Sequence, residues 1–179
     1  MMKQDALRPV DLVIALALAV HKDAPRATFS QLGATLGLSQ STVHEAVQTL
    51  LLAGLVRPGT REPNRSALQE FVEHGARYAF PPTFGGEVRG VPTAHSGPAL
   101  RDQFDAGVAL VWPDVEGPVR GRALAPLYPQ ATSLPRLAPD VYNVLTLLDA
   151  VRAGRVRERK AALAALHALL TGDRAAVPA

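Results

Sequence analysis

Two glycines four residues apart, Gly33 and Gly37, lie in the run TFSQLGATLGLSQSTVHEAVQTL (Thr28–Leu50) and restrict how it can fold. Leu32 and Leu36 share one face of a short helix that Thr28 or Ser30 can cap. Gly37 suits the end of that helix, because it takes a left-handed turn position that a β-carbon penalises. Leu38 then fills the gap between helices, and Ser39 caps a second helix whose inward stripe is Val43, Ala46, Val47 and Leu50. Gly33, inside the first helix, costs about 1 kcal/mol relative to alanine. That cost makes sense where two helices press closely together. The run therefore predicts two short helices crossing at a tight turn, the second over Ser39–Ala53.

The flanking sequence supplies apolar surface for this pair. RPVDLVIALALAVHK (Arg8–Lys22) opens with Pro9, which suits the first turn of a helix. Lys3 and Arg8 ahead of the nine-residue run Leu12–Val20 loosely resemble a signal peptide. Asp5 and Asp11 break the basic region, and a membrane span needs roughly 20 apolar residues, so a buried first helix is expected. Apolar residues make up 47% of the 179, enough to build a core, and the net charge of +3 permits a nucleic-acid partner without demanding one. With no cysteine, disulfides and thiolate metal sites are excluded. The chain is expected to be cytoplasmic.

Beyond Leu50 the character changes twice. RPGTREPNR (Arg57–Arg65) is a loop by its prolines and glycine, and SALQEFVEHG (Ser66–Gly75) a helix with Ser66 as N-cap. Arg77–Phe80, Glu87–Val91, Val108–Trp112 and Val119–Leu127 are strand candidates, with Pro113–Gly117 as a hairpin loop between the last two. Val141, Val144, Leu145, Leu148 and Val151 place a helix over Ala138–Gly154. Leu163, Leu166, Leu169 and Leu170 place another over Arg155–Gly172, the two forming a helical hairpin before a loose AAVPA tail (175–179). The aromatics Tyr78, Phe80, Phe84, Trp112 and Tyr128 suit a small α+β unit.

The two-helix pattern resembles the helix-turn-helix of bacterial DNA-binding regulators, which place residues such as Gly33, Gly37, Leu38 and Val43 at these positions. LLLAGLVR (Leu51–Arg57) looks like the exit from a recognition helix into the first wing strand of winged regulators such as the MarR-like group. The resemblance covers about Pro9 to Arg65; with the strand and helix candidates that follow it, the chain reads as an α+β protein. A winged helix-turn-helix DNA-binding domain (1–75) would precede an extension (76–179) of a small antiparallel sheet, strands about 77–127, and a helical hairpin, about 138–171.

The resemblance further implies double-stranded DNA as partner, with the recognition helix in the major groove. Base contacts would come from Ser39, Gln40, Ser41, Thr42, His44, Glu45 and Gln48: glutamine pairs with adenine, hydroxyls serve several bases, and glutamate accepts from cytosine. Between Thr28 and Ala53 the only full charge is Glu45. Backbone contacts are therefore assigned to Thr28 and to the flanking Arg26, Arg57, Arg61 and Arg65, with Lys22 as a possible addition. So few cations favour a homodimer, which doubles the contacts. The alternative is a protein–protein adaptor or antitoxin-like autoregulator whose residues 76–179 bind a partner protein.

Other chemistry finds little support. His21, His44, His74, His95 and His167 lack zinc spacing, and no cofactor is implied. His95 adjoins Ser96, with Asp102 and Asp105 nearby, but adjacency does not make a nucleophile and base. GGEVRG (Gly85–Gly90) lacks the lysine of a phosphate loop. No enzymatic activity is expected. RAGRVRERK (Arg152–Lys160) reads as a solvated helix start, or as a surface for phosphate or an acidic partner.

Overall fold

A computed structural model describes residues 6–104 and 107–172, so Asp105 and the 175–179 tail lie outside the described residues. The first helix, α1 (Pro9–Val20), has Pro9 in its first turn and buries every residue from Asp11 to Ala19. A helix that is apolar all round belongs at the centre of a core, and α1 packs against four of the helices below, α3, α4, α7 and α8. Its one buried charge, Asp11, is held by the Arg8 backbone N–H at 2.7 Å and by the Arg8 guanidinium at 2.8 Å.

Around this shaft lie α2 (Phe29–Leu36), α3 (Gln40–Leu52), α4 (Arg65–His74) and the single turn α5 (Ala76–Ala79). Strands β1 (Phe84–Thr93), β2 (Leu110–Pro113) and β3 (Val119–Leu124) follow, then α6 (Leu134–Leu137), α7 (Pro139–Ala153) and α8 (Val156–Thr171). The architecture is α+β, and α7 and α8 pack as the expected helical hairpin. One buried apolar cluster runs through both parts of the chain, from Leu12 to Leu170. Among the described residues, no helix is long and apolar enough to cross a membrane.

Four local expectations are corrected. Asn64, not Ser66, caps α4, its Oδ1 accepting from the Ala67 N–H at 3.3 Å. Arg77–Phe80 is no strand: Ala76 is buried against α7, and the Phe80 N–H closes a helical turn onto the Ala76 carbonyl. The wing strand after α3 is a single bridge, Val56 opposite Pro63. Pro58 and Pro63 have no N–H, so the ladder cannot lengthen there.

The fourth correction concerns the sheet. The expected hairpin across Pro113–Gly117 does not form. Instead β2 and β3 each run antiparallel to β1, at Gly90–Thr93 and at Phe84–Gly90, and parallel to one another at Leu110–Arg122 and Val111–Ala123, closing a three-stranded barrel. Parallel neighbours usually need a connection of a dozen residues or more; here a short loop passes directly over β1. It can do so because Gly117 stacks on Gly90, where a β-carbon would come within 2.2 Å of the Gly90 carbonyl carbon.

The barrel is moored to α7 by buried polar groups. Asp149 accepts from Thr93 Oγ1 at 2.7 Å, Trp112 Nε1 at 2.6 Å and Arg152 Nη1 at 2.6 Å. Arg152, expected in a solvated basic run, is instead buried, and its Nε donates to the Phe80 carbonyl at 2.7 Å. Burial pushes the Asp149 carboxyl upward, against the opposing pull of Arg152 and the two neutral donors. Tyr142 packs edge-on against Trp112 and donates to the Pro92 carbonyl at 2.6 Å; burial pushes its hydroxyl up to about 12, so it remains a donor. Asp149→Ala strands the Arg152 charge, and is expected to lower the unfolding free energy by about 3–5 kcal/mol in urea denaturation. The loss should be much smaller when Arg152→Met is added.

Candidate nucleic-acid interface

The helix-turn-helix is built by local chemistry. Thr28 caps α2 reciprocally with Gln31: its Oγ1 accepts from the Gln31 N–H at 3.1 Å, and its N–H donates to Gln31 Oε1 at 2.8 Å. Gly37 ends α2 at φ 70°, and the Leu38 N–H returns to the Gly33 carbonyl at 2.8 Å. A β-carbon on Gly33 would lie 2.5 Å from the Leu38 carbonyl oxygen, which accounts for glycine inside the helix. Ser39 caps α3, accepting from the Thr42 N–H at 3.1 Å.

Val43, Ala46, Val47 and Leu50 are buried, locking one face of α3 into the core. The opposite face carries Gln40, His44 and Gln48 along one line and Ser41 and Glu45 along the next, all exposed, as is Ser39. Thr42 is half-buried, its Oγ1 2.8 Å from Ser39 Oγ. The His44 and Phe29 rings pack in a T-shaped pair with centroids 5.3 Å apart, and the Arg61 guanidinium carbon lies over the same Phe29 ring, 5.3 Å from its centroid. Arg61 also donates to the Ala27 carbonyl. His44, Phe29 and Arg61 thus tie α3, α2 and the short wing together.

The five assigned backbone contacts do not behave alike. Arg26, Thr28 and Arg57 are exposed beside the helix pair, and Arg61 is half-buried on Phe29. Arg65 is engaged elsewhere: Nη1 donates to the Leu170 carbonyl at 2.6 Å and Nη2 to the Ala19 carbonyl at 3.0 Å, clamping the ends of α8 and α1. One cation was missed. Arg8, distant in sequence, reaches Glu45 Oε2 at 3.3 Å and so adds positive charge beside α3. Its pKa is raised chiefly by the hydrogen bond to Asp11. No periodicity points to this pairing, since it depends on how α1 crosses α3.

The extension supports the turn from behind. Buried Tyr128 donates to the Leu36 carbonyl, the end of α2, at 3.0 Å. Gln130, in a 3₁₀ turn over Pro129–Ser133, lies against Gly37, where a β-carbon would sit 3.1 Å from its Cβ. The sequence marked Tyr128 only as an aromatic. Among the other candidates, Ser96 Oγ accepts from the Leu110 N–H at 3.2 Å, a structural bond, and Asp105 lies outside the described residues. His21 pairs with Asp140 at 2.8 Å. No group of three or more metal-ligating side chains occurs among the described residues.

Residues 17–59 match the IclR helix-turn-helix domain, a match that runs from the end of α1 through α2 and α3 into the wing turn. IclR is a different family from the MarR-like group suggested by the helix exit. The match supports DNA-binding transcription regulation by a winged helix-turn-helix, with double-stranded DNA as the partner. No curated protein and no solved structure matches the chain.

Tyr128→Phe deletes one buried hydrogen bond while keeping the ring, and leaves the Leu36 carbonyl without its donor. A loss of about 1–2 kcal/mol is expected in thermal unfolding, with faster amide exchange concentrated at Gly37 and Leu38.

Proposed function

We propose that this protein regulates transcription by binding a specific DNA sequence as a homodimer, with α3 in the major groove and base contacts from Ser39, Gln40, Ser41, Thr42, His44, Glu45 and Gln48. The observation that carries this reading is the division of α3. Its apolar face is locked to the core, while its capped N-terminal end displays amide, hydroxyl, imidazole and carboxylate groups. Those groups match the donor and acceptor pattern of the major groove. A helix N-terminus also attracts phosphate through its free N–H groups. Binding would act by occluding a promoter or by recruitment at one.

Electrostatics supports the dimer. α3 carries no cation, Arg65 is engaged by carbonyls, and Arg61 is stacked on Phe29, leaving Arg26 and Arg57 as the freest of the assigned phosphate contacts. We add Arg8, whose Nη1 would turn to phosphate as Glu45 turns to a base, while Nε and Nη2 stay on buried Asp11. So few contacts in one copy bind weakly at physiological salt, and a second copy on a two-fold site doubles them. The helix-turn-helix match is of the IclR type and lends no support to the MarR-like group. We favour the IclR type because the match spans both helices and the turn. In this reading residues 1–75 face the DNA and residues 76–179 buttress them.

Duplex from the gene's own upstream region, labelled for fluorescence anisotropy, tests the proposal. Specific binding should weaken steeply with salt. Gln40→Ala with Gln48→Ala should remove about 1–3 kcal/mol of discrimination for each lost bidentate contact, with an unchanged unfolding curve. If that pair binds as selectively as the parent, α3 is not the reading helix. Arg57→Ala should weaken all sequences alike and reduce the salt slope by about one. Arg65→Ala should instead lower thermal stability and leave the slope unaltered.

A further inference from the structure

A cleft of about 350 Å³ opens in the extension, far in sequence from α3, between β1, β3 and the junction of α7 with α8. Its walls combine apolar surface from Phe84, Leu110 and Ala153 with the charged groups Arg122, Arg155 and Glu158, and with His95. We propose that this cleft binds a small amphiphilic anion, a carboxylate or phosphate head joined to a short apolar body.

Four observations support the assignment. Arg122 is pre-positioned, its guanidinium carbon over the Phe84 ring at 4.4 Å from the centroid. Among the described residues, neither Arg122 nor Arg155 has a carboxylate within salt-bridge distance, so two forks suited to a planar anion are unpaired, although Glu158 lines the same cleft. His95 Nδ1 is buried without a hydrogen-bond partner, a state that costs free energy unless another group completes it. The residue before it, Ala94, is held at φ 53°, a left-handed conformation that alanine rarely adopts and that sites of recognition often retain.

Glu158 does not close the site. One carboxylate oxygen accepts from the Arg155 backbone N–H at 2.8 Å and caps α8, while the other stays 4.0 Å from His95 Nδ1, beyond hydrogen-bond length. The head group therefore takes Arg122 and Arg155 as charged donors, and the His95 ring forms the wall beside them. The body lies along Leu110 and Ala153. The volume is at the small end of ligand pockets, which limits the body to a few carbons.

Isothermal titration of the full chain with hexanoate, hexanamide and inorganic phosphate tests this without any DNA. Hexanoate should bind saturably with a dissociation constant on the order of 1 mM, as eight non-hydrogen atoms allow. Hexanamide, which lacks the charge, and phosphate, which lacks the body, should each bind roughly tenfold more weakly or worse. Arg122→Gln and Arg155→Gln, both on exposed side chains, should each weaken hexanoate by about tenfold with unchanged thermal unfolding. The proposal is overturned if hexanoate gives no saturable heat at 20-fold above that concentration. It is equally overturned if hexanamide or phosphate binds as well as hexanoate, or if the double glutamine variant retains the parent affinity.

Discussion

The carboxylate of Asp149 is the point at which the extension becomes one body. Three donors from three elements converge on it: Thr93 from β1, Trp112 from β2 and Arg152 from its own helix. Arg152 passes the connection on to the carbonyls of Phe80 and Pro81, where the chain leaves α5. A charge buried this deeply is tolerable only when paired and hydrogen-bonded, so the network tolerates few other arrangements of strands and helix. It sets the depth at which the barrel sits on α7, and with it the position of everything built on either side.

The same mooring reaches the helix-turn-helix indirectly. α7 packs on α1, and α1 is the floor on which α3 rests. From the other side, Tyr128 and Gln130 brace the turn between α2 and α3 through the Leu36 carbonyl and the Gly37 backbone. A recognition helix is useful only if its exposed face is held in a fixed direction. Here that direction is set from two sides, by the central apolar helix beneath and by the extension behind the turn.

The charge distribution explains why the DNA-facing surface looks weak in sequence. Arginines that flank the helix pair divide into those without a partner among the described residues, Arg26 and Arg57, and those used to hold the fold, Arg61 on Phe29 and Arg65, itself exposed, on two helix ends. Arg8 offsets part of this loss, brought beside Glu45 by the crossing of α1 and α3. The Arg8–Glu45 pair is exposed and loosely held, so Glu45 and the Nη1 of Arg8 can turn to other ligands while the rest of the guanidinium stays on Asp11.

Much of the local structure was legible because it depends on neighbours in sequence. Caps at Thr28 and Ser39, the left-handed turn at Gly37, Pro9 at a helix start, the apolar run of α1 and the apolar spacing of α7 and α8 all follow from short-range sterics, hydrogen bonding and periodicity. From these residues alone came the two-helix unit, the polar outward face of α3 and the helical hairpin. Tertiary structure decided which strands pair, because alternation marks a strand without naming its partner. The loop between β2 and β3 had hairpin chemistry, yet the stacking of Gly117 on Gly90 carried it across β1. Tertiary structure also decided the duty of each arginine, since a long cationic side chain goes to whichever carbonyl, ring or carboxylate the packing brings within reach.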